Sequence, residues 1–225
     1  MYKAVLLDVD NTLLDFDLSA KATIKVAFAE MGIDFYERVF DTFLRVNNSL
    51  WQQIERKEIT REELHRIRWK IIFGELNIAA DGAIMESLFL KYLENNAVPV
   101  EGAADLVKYL SEKYKLYTAS NAPYPQQIKR LTVSGLMPYV TKILDFETQG
   151  IHKPQTRFFE ECLRAVSPAT KEQVAIIGDS LSADMRGGRD VGITTIWFNH
   201  GGEKVAKPDF CDYAVTNLNE IKSIL

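Results

Sequence analysis

Three short apolar runs, each breaking off into residues that carry chemistry, constrain this chain more than any other feature. Lys3-Ala-Val-Leu-Leu7 stops at Asp8, Lys115-Leu-Tyr-Thr-Ala119 at Ser120-Asn121, and Val174-Ala-Ile-Ile177 at Gly178-Asp179. Runs of four or five apolar residues are too short for a buried helix. They read as strands covered on both faces, which is how parallel sheets sit beneath helices. Residues 193–198 and 213–215 are weaker strand candidates, and 140–146 is a further one. Helical patterns lie between them at about 102–113, 126–134, 156–166 and 183–191, the last interrupted by Gly187-Gly188. Strands alternating with helices predict an open, parallel α/β sheet.

Residues 16–96 follow a different rule. They contain no convincing strand and no proline, and they show amphipathic stretches at 19–31, 41–56 and 60–76. Thr60-Arg-Glu-Glu63 has the form of a capping box and predicts a helix start. An insert of roughly 80 residues is too long for a crossover connection. It is therefore expected to be a separate helical bundle (16–96) over the carboxyl ends of the strands. Residues 1–15 and 97–225 would form the sheet domain, with Pro99 and Gly102 marking the return to it. At 225 residues, with 47% hydrophobic and 26% charged side chains, the chain can build its core without disulfides or a structural metal.

Charge and cysteine content narrow the function classes. Twenty-seven basic against 31 acidic side chains give a net charge of −4, the wrong sign for coating a nucleic-acid polymer. Cys162 and Cys211 lack the spacing of a metal or redox pair and read as inert thiols in a reducing compartment. No apolar run reaches the ~18–20 residues of a membrane span. The opening MYKAVLLDVD turns acidic too early for a signal peptide. A soluble, cytoplasmic protein is expected.

The chemistry concentrates in Asp8-Val9-Asp10-Asn11-Thr12. Two carboxylates two residues apart end a buried strand, where open α/β sheets bind their ligands, and an extended chain would point both to one side. A plain turn is the competing reading, since Asp and Asn favour turns. Asp179, with Asp184 five residues on, brings more carboxylates to a second strand end. Converging carboxylates raise one another's pKa, and a hard divalent cation such as Mg²⁺ relieves that. Ser120 and Asn121 offer a hydroxyl and an amide to phosphate oxygens. Lys153, before Pro154, offers the positive charge that a phosphoryl transition state needs.

In this order the motifs resemble those of the haloacid dehalogenase (HAD) superfamily: DxDxT, a strand-ending Ser or Thr, a Lys often followed by Pro, and GDxxxxD. The resemblance spans essentially the whole chain. It implies a three-layer, Rossmann-like α/β/α core with residues 16–96 as a helical cap. It further implies Asp8 as the nucleophile that forms an aspartyl-phosphate. Asp10 would be the general acid and then the general base, its backbone carbonyl touching the metal. By the same resemblance, Asp8, Asp10 and Asp179 would hold Mg²⁺, and Asp184 would support the metal's water shell or Lys153. Ser120, Asn121 and Lys153 would bind the phosphate. An unperturbed carboxylate, with a pKa of ~3.9, needs no base to act as a nucleophile at neutral pH.

Asp10 separates the subclasses, because a halide leaving group needs no proton and the dehalogenases of the superfamily lack that second aspartate. Residues 50–64, with Ala80-Asp81-Gly82, resemble the cap of the HAD-type pyrimidine 5′-nucleotidases, and residues 176–184 resemble the same branch. Ser120-Asn121-Ala122 departs from that branch's Thr-Asn-Gly, and Ala122 lacks glycine's backbone freedom. The expected activity is Mg²⁺-dependent hydrolysis of a small phosphorylated metabolite, a pyrimidine nucleoside monophosphate first. A sugar-phosphate phosphatase or mutase and a phosphate-binding non-enzyme are the alternatives. The expected protein is a monomer or weak dimer with no nucleic-acid polymer or membrane partner.

Other features are discounted. Trp51, Trp69, Phe28, Phe40, Phe43 and Phe73 have the spacing of a bundle core, although any could stack on a base. Phe16 and Asp17 sit where the chain enters the insert, near the expected cleft mouth. His65 and His200 read as surface or loop residues, and His152 as structural or electrostatic. Gly201-Gly202 reads as a turn, and the basic run 61–70 as a solvated helix face.

Overall fold

The computed structural model describes residues 1–144, 146, 149–200 and 206–225. These residues divide into two compact units, Met1–Asp15 with Ala97–Leu225, and Phe16–Asn96.

The first unit is built on a parallel sheet of β1 (Ala4–Leu7), β2 (Lys115–Ala119), β3 (Lys142–Leu144), β4 (Val174–Gly178), β5 (Thr194–Phe198) and β6 (Tyr213–Val215). The strand order is β3-β2-β1-β4-β5-β6, so the chain reverses direction of travel at β1, where open sheets of this kind place their ligand crevice. β1 shows why its residues form a central strand. Ala4 and Leu6 enter one apolar cluster while Val5 and Leu7 enter the other, so both faces are buried with a period of two. Helices α5 (Ala103–Ser111) and α6 (Tyr124–Val133) contribute to the cluster of Val5 and Leu7, through Leu106, Val107, Leu110 and Leu131. Helix α7 (Thr156–Ala165) covers the opposite face through Phe158, Phe159 and Cys162. The result is the three-layer α/β/α core. Both cysteines are free and buried, and burial raises the Cys162 thiol's pKa.

Registers of Leu7 with Thr118 and of Leu7 with Ile177 bring the next residue of each strand level. Asp8, Ala119 and Gly178 thereby end together. The expected strand at 140–146 is confined to Lys142–Leu144; its Asp145 and the Gly201-Gly202 turn lie outside the described residues.

The helix expected at 183–191 is instead a π turn, Leu181–Met185, running into α8 (Arg186–Val191). Gly187 and Gly188 are retained there for contact: a Cβ at Gly187 would lie 2.1 Å from the Phe159 ring, and one at Gly188 2.8 Å from Ile176. Helix propensity yields to packing at that crossing.

The second unit contains α1 (Phe16–Glu30), α2 (Glu37–Glu55), α3 (Arg61–Leu76) and α4 (Gly82–Leu93). The capping box forms as the sequence predicts: Glu63 N donates to Thr60 Oγ1 at 3.2 Å and Thr60 N to the Glu63 carboxylate at 2.8 Å. Phe28, Phe43, Trp69, Phe73 and Phe89 form the bundle's core, with Phe43 and Trp69 centroids 5.5 Å apart. Phe40 lies at the edge of that core, and Trp51 is only half-buried.

Ala80-Asp81-Gly82 has a structural role. The Asp81 carboxylate caps α4 by accepting from Ala83 N at 2.7 Å, and a Cβ at Gly82 would come within 2.8 Å of the Lys70 backbone nitrogen. Two expectations are corrected. Arg68 does not share the solvated face of its neighbours. It is buried, donates to Glu86 at 2.6 Å and to Asn47 at 2.8 Å, and lies over Phe43 and Phe89. His65 is not free on the surface either; its Nδ1 lies 2.7 Å from the same Glu86. A buried guanidinium needs a carboxylate partner, and the helical unit supplies one from α4.

Candidate active site

Three strand ends and one loop meet at the sheet's carboxyl edge. Beyond Leu7, Asp8 N still donates to Ile177 O at 2.9 Å, which fixes the aspartate against β4. The chain then turns: Asn11 takes a left-handed φ of 59°, tolerable for Asn, and its N–H donates to Leu14 O at 2.7 Å. The turn brings Thr12 back, and its hydroxyl donates to Asp8 Oδ2 at 3.0 Å. Asp8 Oδ1 accepts from Lys153 Nζ at 2.6 Å. Both carboxylate oxygens are thus held, so the side chain has one orientation.

Lys153 is buried and bridges two carboxylates, with Asp184 Oδ1 also 2.6 Å from Nζ. Asp184 Oδ2 accepts from Ser180 N at 3.1 Å. Space for this carboxylate comes from Gly178, where a Cβ would lie 2.3 Å from Asp184 Oδ2. Asp179 is fixed through its main chain, its carbonyl accepting from Trp197 Nε1 at 2.9 Å. One oxygen from each of Asp8, Asp179 and Asp184 lies within 4.8 Å of the others, a set able to hold a metal ion.

The electrostatics follow from this crowding. Burial, opposed by Lys153 and reinforced by Asp184, raises the Asp8 carboxyl from 3.8 to about 7. Burial and the neighbouring Asp8 and Asp184 charges push Asp179 well above its ordinary value. For Lys153, burial favours the neutral amine, but Asp184 and Asp8 outweigh it and raise the ammonium above the usual lysine value. The ordinary acidity suggested for Asp8 by its sequence is therefore not what the fold supplies. Three carboxylates against one ammonium leave two negative charges in excess when all are ionised. All-oxygen donors with two surplus charges fit a hard divalent cation.

The second strand end supplies Ser120, whose Oγ accepts from Ala122 N at 3.1 Å. Ala122 is not among the residues with positive φ, so alanine sits in this loop without left-handed strain. Asn121 reaches across to Lys153, donating to its carbonyl at 3.2 Å and accepting from its N–H at 2.8 Å. That reciprocal pair ties the loop bearing Lys153 to the end of β2. Asp10 stands apart from the carboxylate cluster: its Oδ1 accepts a hydrogen bond from Arg130 of α6. Outside the immediate cluster, His152 contacts Gln155, and His200 lies 3.6 Å from Asp15.

Thr12 belongs to the DxDxT stretch but was given no role of its own in the sequence, and Gln127 and Arg130 were not singled out there as site residues. Gln127, buried on α6, accepts from Thr118 Oγ1 at 3.0 Å and donates to Ala122 O. The available signal was a glutamine and an arginine three apart on the inward stripe of a helix that directly follows a reactive strand end.

Residues 2–192 match the model of the haloacid dehalogenase-like hydrolases. The pyrimidine 5′-nucleotidase PynA of Streptococcus pneumoniae is 35% identical over 199 residues, covering 88% of this chain and 84% of that protein. The HAD-hydrolase YfnB of Bacillus subtilis is 31% identical over 224 residues, covering all of this chain and 95% of its own. The YfnB crystal structure, bound to magnesium and showing interdomain movement, superposes with a TM-score of 0.91 over 99% of this chain and 98% of its own. The L-2-haloacid dehalogenase Rha0230 shares the fold at a TM-score of 0.80 with 14% identity, covering 100% of this chain and 95% of its own.

Proposed function

The chain belongs to the haloacid dehalogenase-like hydrolases, and within that family we propose that it is a Mg²⁺-dependent phosphomonoesterase acting through an aspartyl-phosphate at Asp8. The observation that carries this reading is the carboxylate cluster bridged by Lys153, with a separately held carboxylate, Asp10, two residues from the proposed nucleophile. A dehalogenase would have no use for Asp10, because a halide departs without a proton.

Asp8, Asp179 and the Asp10 carbonyl would hold the Mg²⁺, which supplies charge neutralisation for the carboxylates and the phosphoryl oxygens. Lys153 and Ser120 receive the phosphoryl oxygens, with Asn121 and Asp184 fixing Lys153 from its backbone and its ammonium. An ionised Asp8 oxygen forms a bond to phosphorus while the bond to the ester oxygen breaks. Asp10 gives its proton to that oxygen, which leaves as an alcohol. Asp10, now a carboxylate, takes a proton from water as the water attacks the aspartyl-phosphate. Inorganic phosphate departs and Asp8 is regenerated. Thr12 and Lys153 hold the Asp8 carboxylate through both displacements, which spares the reaction an orientational search.

For the substrate we infer a pyrimidine nucleoside 5′-monophosphate. Support comes from the likeness to PynA over most of both chains. The helical unit Phe16–Asn96, separate from the unit that carries the carboxylates, is the part of the chain in which such a preference would reside.

The test is phosphate release from UMP, dUMP, dTMP, purine monophosphates and sugar phosphates, in Mg²⁺ and in EDTA, with Asp8→Asn beside each reaction. Metal-dependent turnover concentrated on pyrimidine nucleotides and absent from Asp8→Asn is the expected result. Activity limited to sugar phosphates would discard the nucleotidase reading. Undiminished hydrolysis by a folded Asp8→Asn protein would discard Asp8 as the nucleophile.

A further inference from the structure

Arg130 is a costly residue in its position. Its side chain is 1% exposed on α6, and its partner is Asp10 Oδ1. Among the described residues, its Nε and Nη2 are buried without any hydrogen-bond partner. A buried guanidinium with unpaired donors is a liability that an apolar side chain of similar length would remove. Stability therefore does not explain it. Rule-breaking of this kind concentrates where function requires it.

The surroundings show what it does. Gln127, one turn earlier on the same helix, fastens α6 to Thr118 of β2 and to Ala122 of the following loop. The helix is thus pinned to the strand end that carries Ser120. From this fixed base Arg130 reaches the carboxylate two residues beyond the proposed nucleophile. Asp10 itself is 32% exposed on its side chain, so without a tether it would sample several rotamers in water. The Arg130 bond engages Oδ1 of that carboxylate and so restricts its rotation.

We propose that Arg130 is a positioning residue that holds the Asp10 carboxylate for proton transfer at the phosphoryl site. The inference rests on the phosphomonoesterase reading for its kinetic consequence, but its structural claim stands on the Arg130–Asp10 contact alone. Misplacing an acid by about 1 Å costs on the order of 10²-fold in rate. That loss should fall on a leaving group that needs a proton, and spare one that departs readily as an anion.

The experiment compares Arg130→Met and Arg130→Lys with wild type in three measurements. Thermal unfolding should place Arg130→Met at or above the wild-type Tm, since methionine fills the space without unpaired donors and Asp10 keeps access to water. In single-turnover reactions with enzyme in excess, Arg130→Met should slow nucleoside release from UMP by roughly 10–100-fold. Release of p-nitrophenol from p-nitrophenyl phosphate should fall less than about threefold, with Arg130→Lys intermediate. A crystal structure of Arg130→Met should show Asp10 in a changed or disordered rotamer. Equal losses with both leaving groups, a changed KM with kcat intact, or an unmoved Asp10 would overturn the proposal. Should wild type hydrolyse no phosphomonoester, the enzymatic reading fails, and the Asp10 rotamer still decides whether Arg130 positions it.

Discussion

Replacing Asp8 with Asn should stabilise the metal-free protein, and the gain should depend on pH. Burial raises the Asp8 carboxyl from 3.8 to about 7, so between these values the folded state binds a proton that the unfolded chain releases. Stability from this group is fully present below about pH 4, declines as pH rises, and is gone above pH 7. The rise is roughly three units, and at 1.36 kcal/mol per unit the whole cost of ionising Asp8 in the fold is about 4 kcal/mol. Some 1–2 kcal/mol of it is already incurred at pH 5, which leaves about 2–3 kcal/mol to appear between pH 5 and pH 8. Asn has no proton to lose and preserves the side chain's shape. Asp179 shifts in the same direction partly through Asp8, so removing that charge eases Asp179 as well. The assay is calorimetric unfolding of wild type and Asp8→Asn in EDTA at both pH values. At about 2–4 °C per kcal/mol for domains of this size, the Tm difference in favour of the variant should widen by roughly 4–12 °C at pH 8. A difference that is constant with pH, or that widens toward pH 5, would refute the reasoning.

The same excess charge predicts the response to metal and to its lysine. Millimolar Mg²⁺ should raise the Tm of wild type more at pH 8 than at pH 5, where protons compete for the carboxylates; thermal shift measures it, and Asp179→Asn should abolish the response. Lys153→Met strands Asp8 and Asp184 in the interior, so about 3–5 kcal/mol of stability should be lost in EDTA by denaturant titration, with kcat down roughly 10²–10³-fold. Gly178→Ala places a methyl 2.3 Å from the Asp184 carboxylate. It should destabilise by about 1–3 kcal/mol and lower activity, and wild-type kinetics in a fully folded Gly178→Ala protein would contradict the packing.

The strands were legible because their signal is local. Four or five apolar residues ending at Asp8, Ser120 or Asp179 say both that a strand is buried on two faces and where it stops. The helices of 16–96 were legible by period and by the Thr60–Glu63 capping box, and their aromatic residues follow the core pattern. The fourth helix, Gly82–Leu93, did not stand out as a separate element. Its start is set by the single Asp81 cap and by a close approach of backbone to α3 that only a glycine permits. Arg68 was misread for a related reason: a basic residue among basic and acidic neighbours looks solvated until its partner, Glu86, arrives from another helix.

At the candidate site, residue types could be read from the sequence, but partnerships could not. Which carboxylates share Lys153 depends on the register of β1 against β4 and on the π turn that swings Asp184 under Gly178. The acidity of Asp8 depends on that depth as well, and so departs from the value its sequence suggests. Arg130 is the clearest case. It lies 120 residues from Asp10, and its effect depends on how α6 is rotated, which Gln127 sets through bonds to β2 and its loop. Local sequence announces that an acid is present at a strand end. The packed interior decides which charge holds it, at what depth, and therefore what that acid can do.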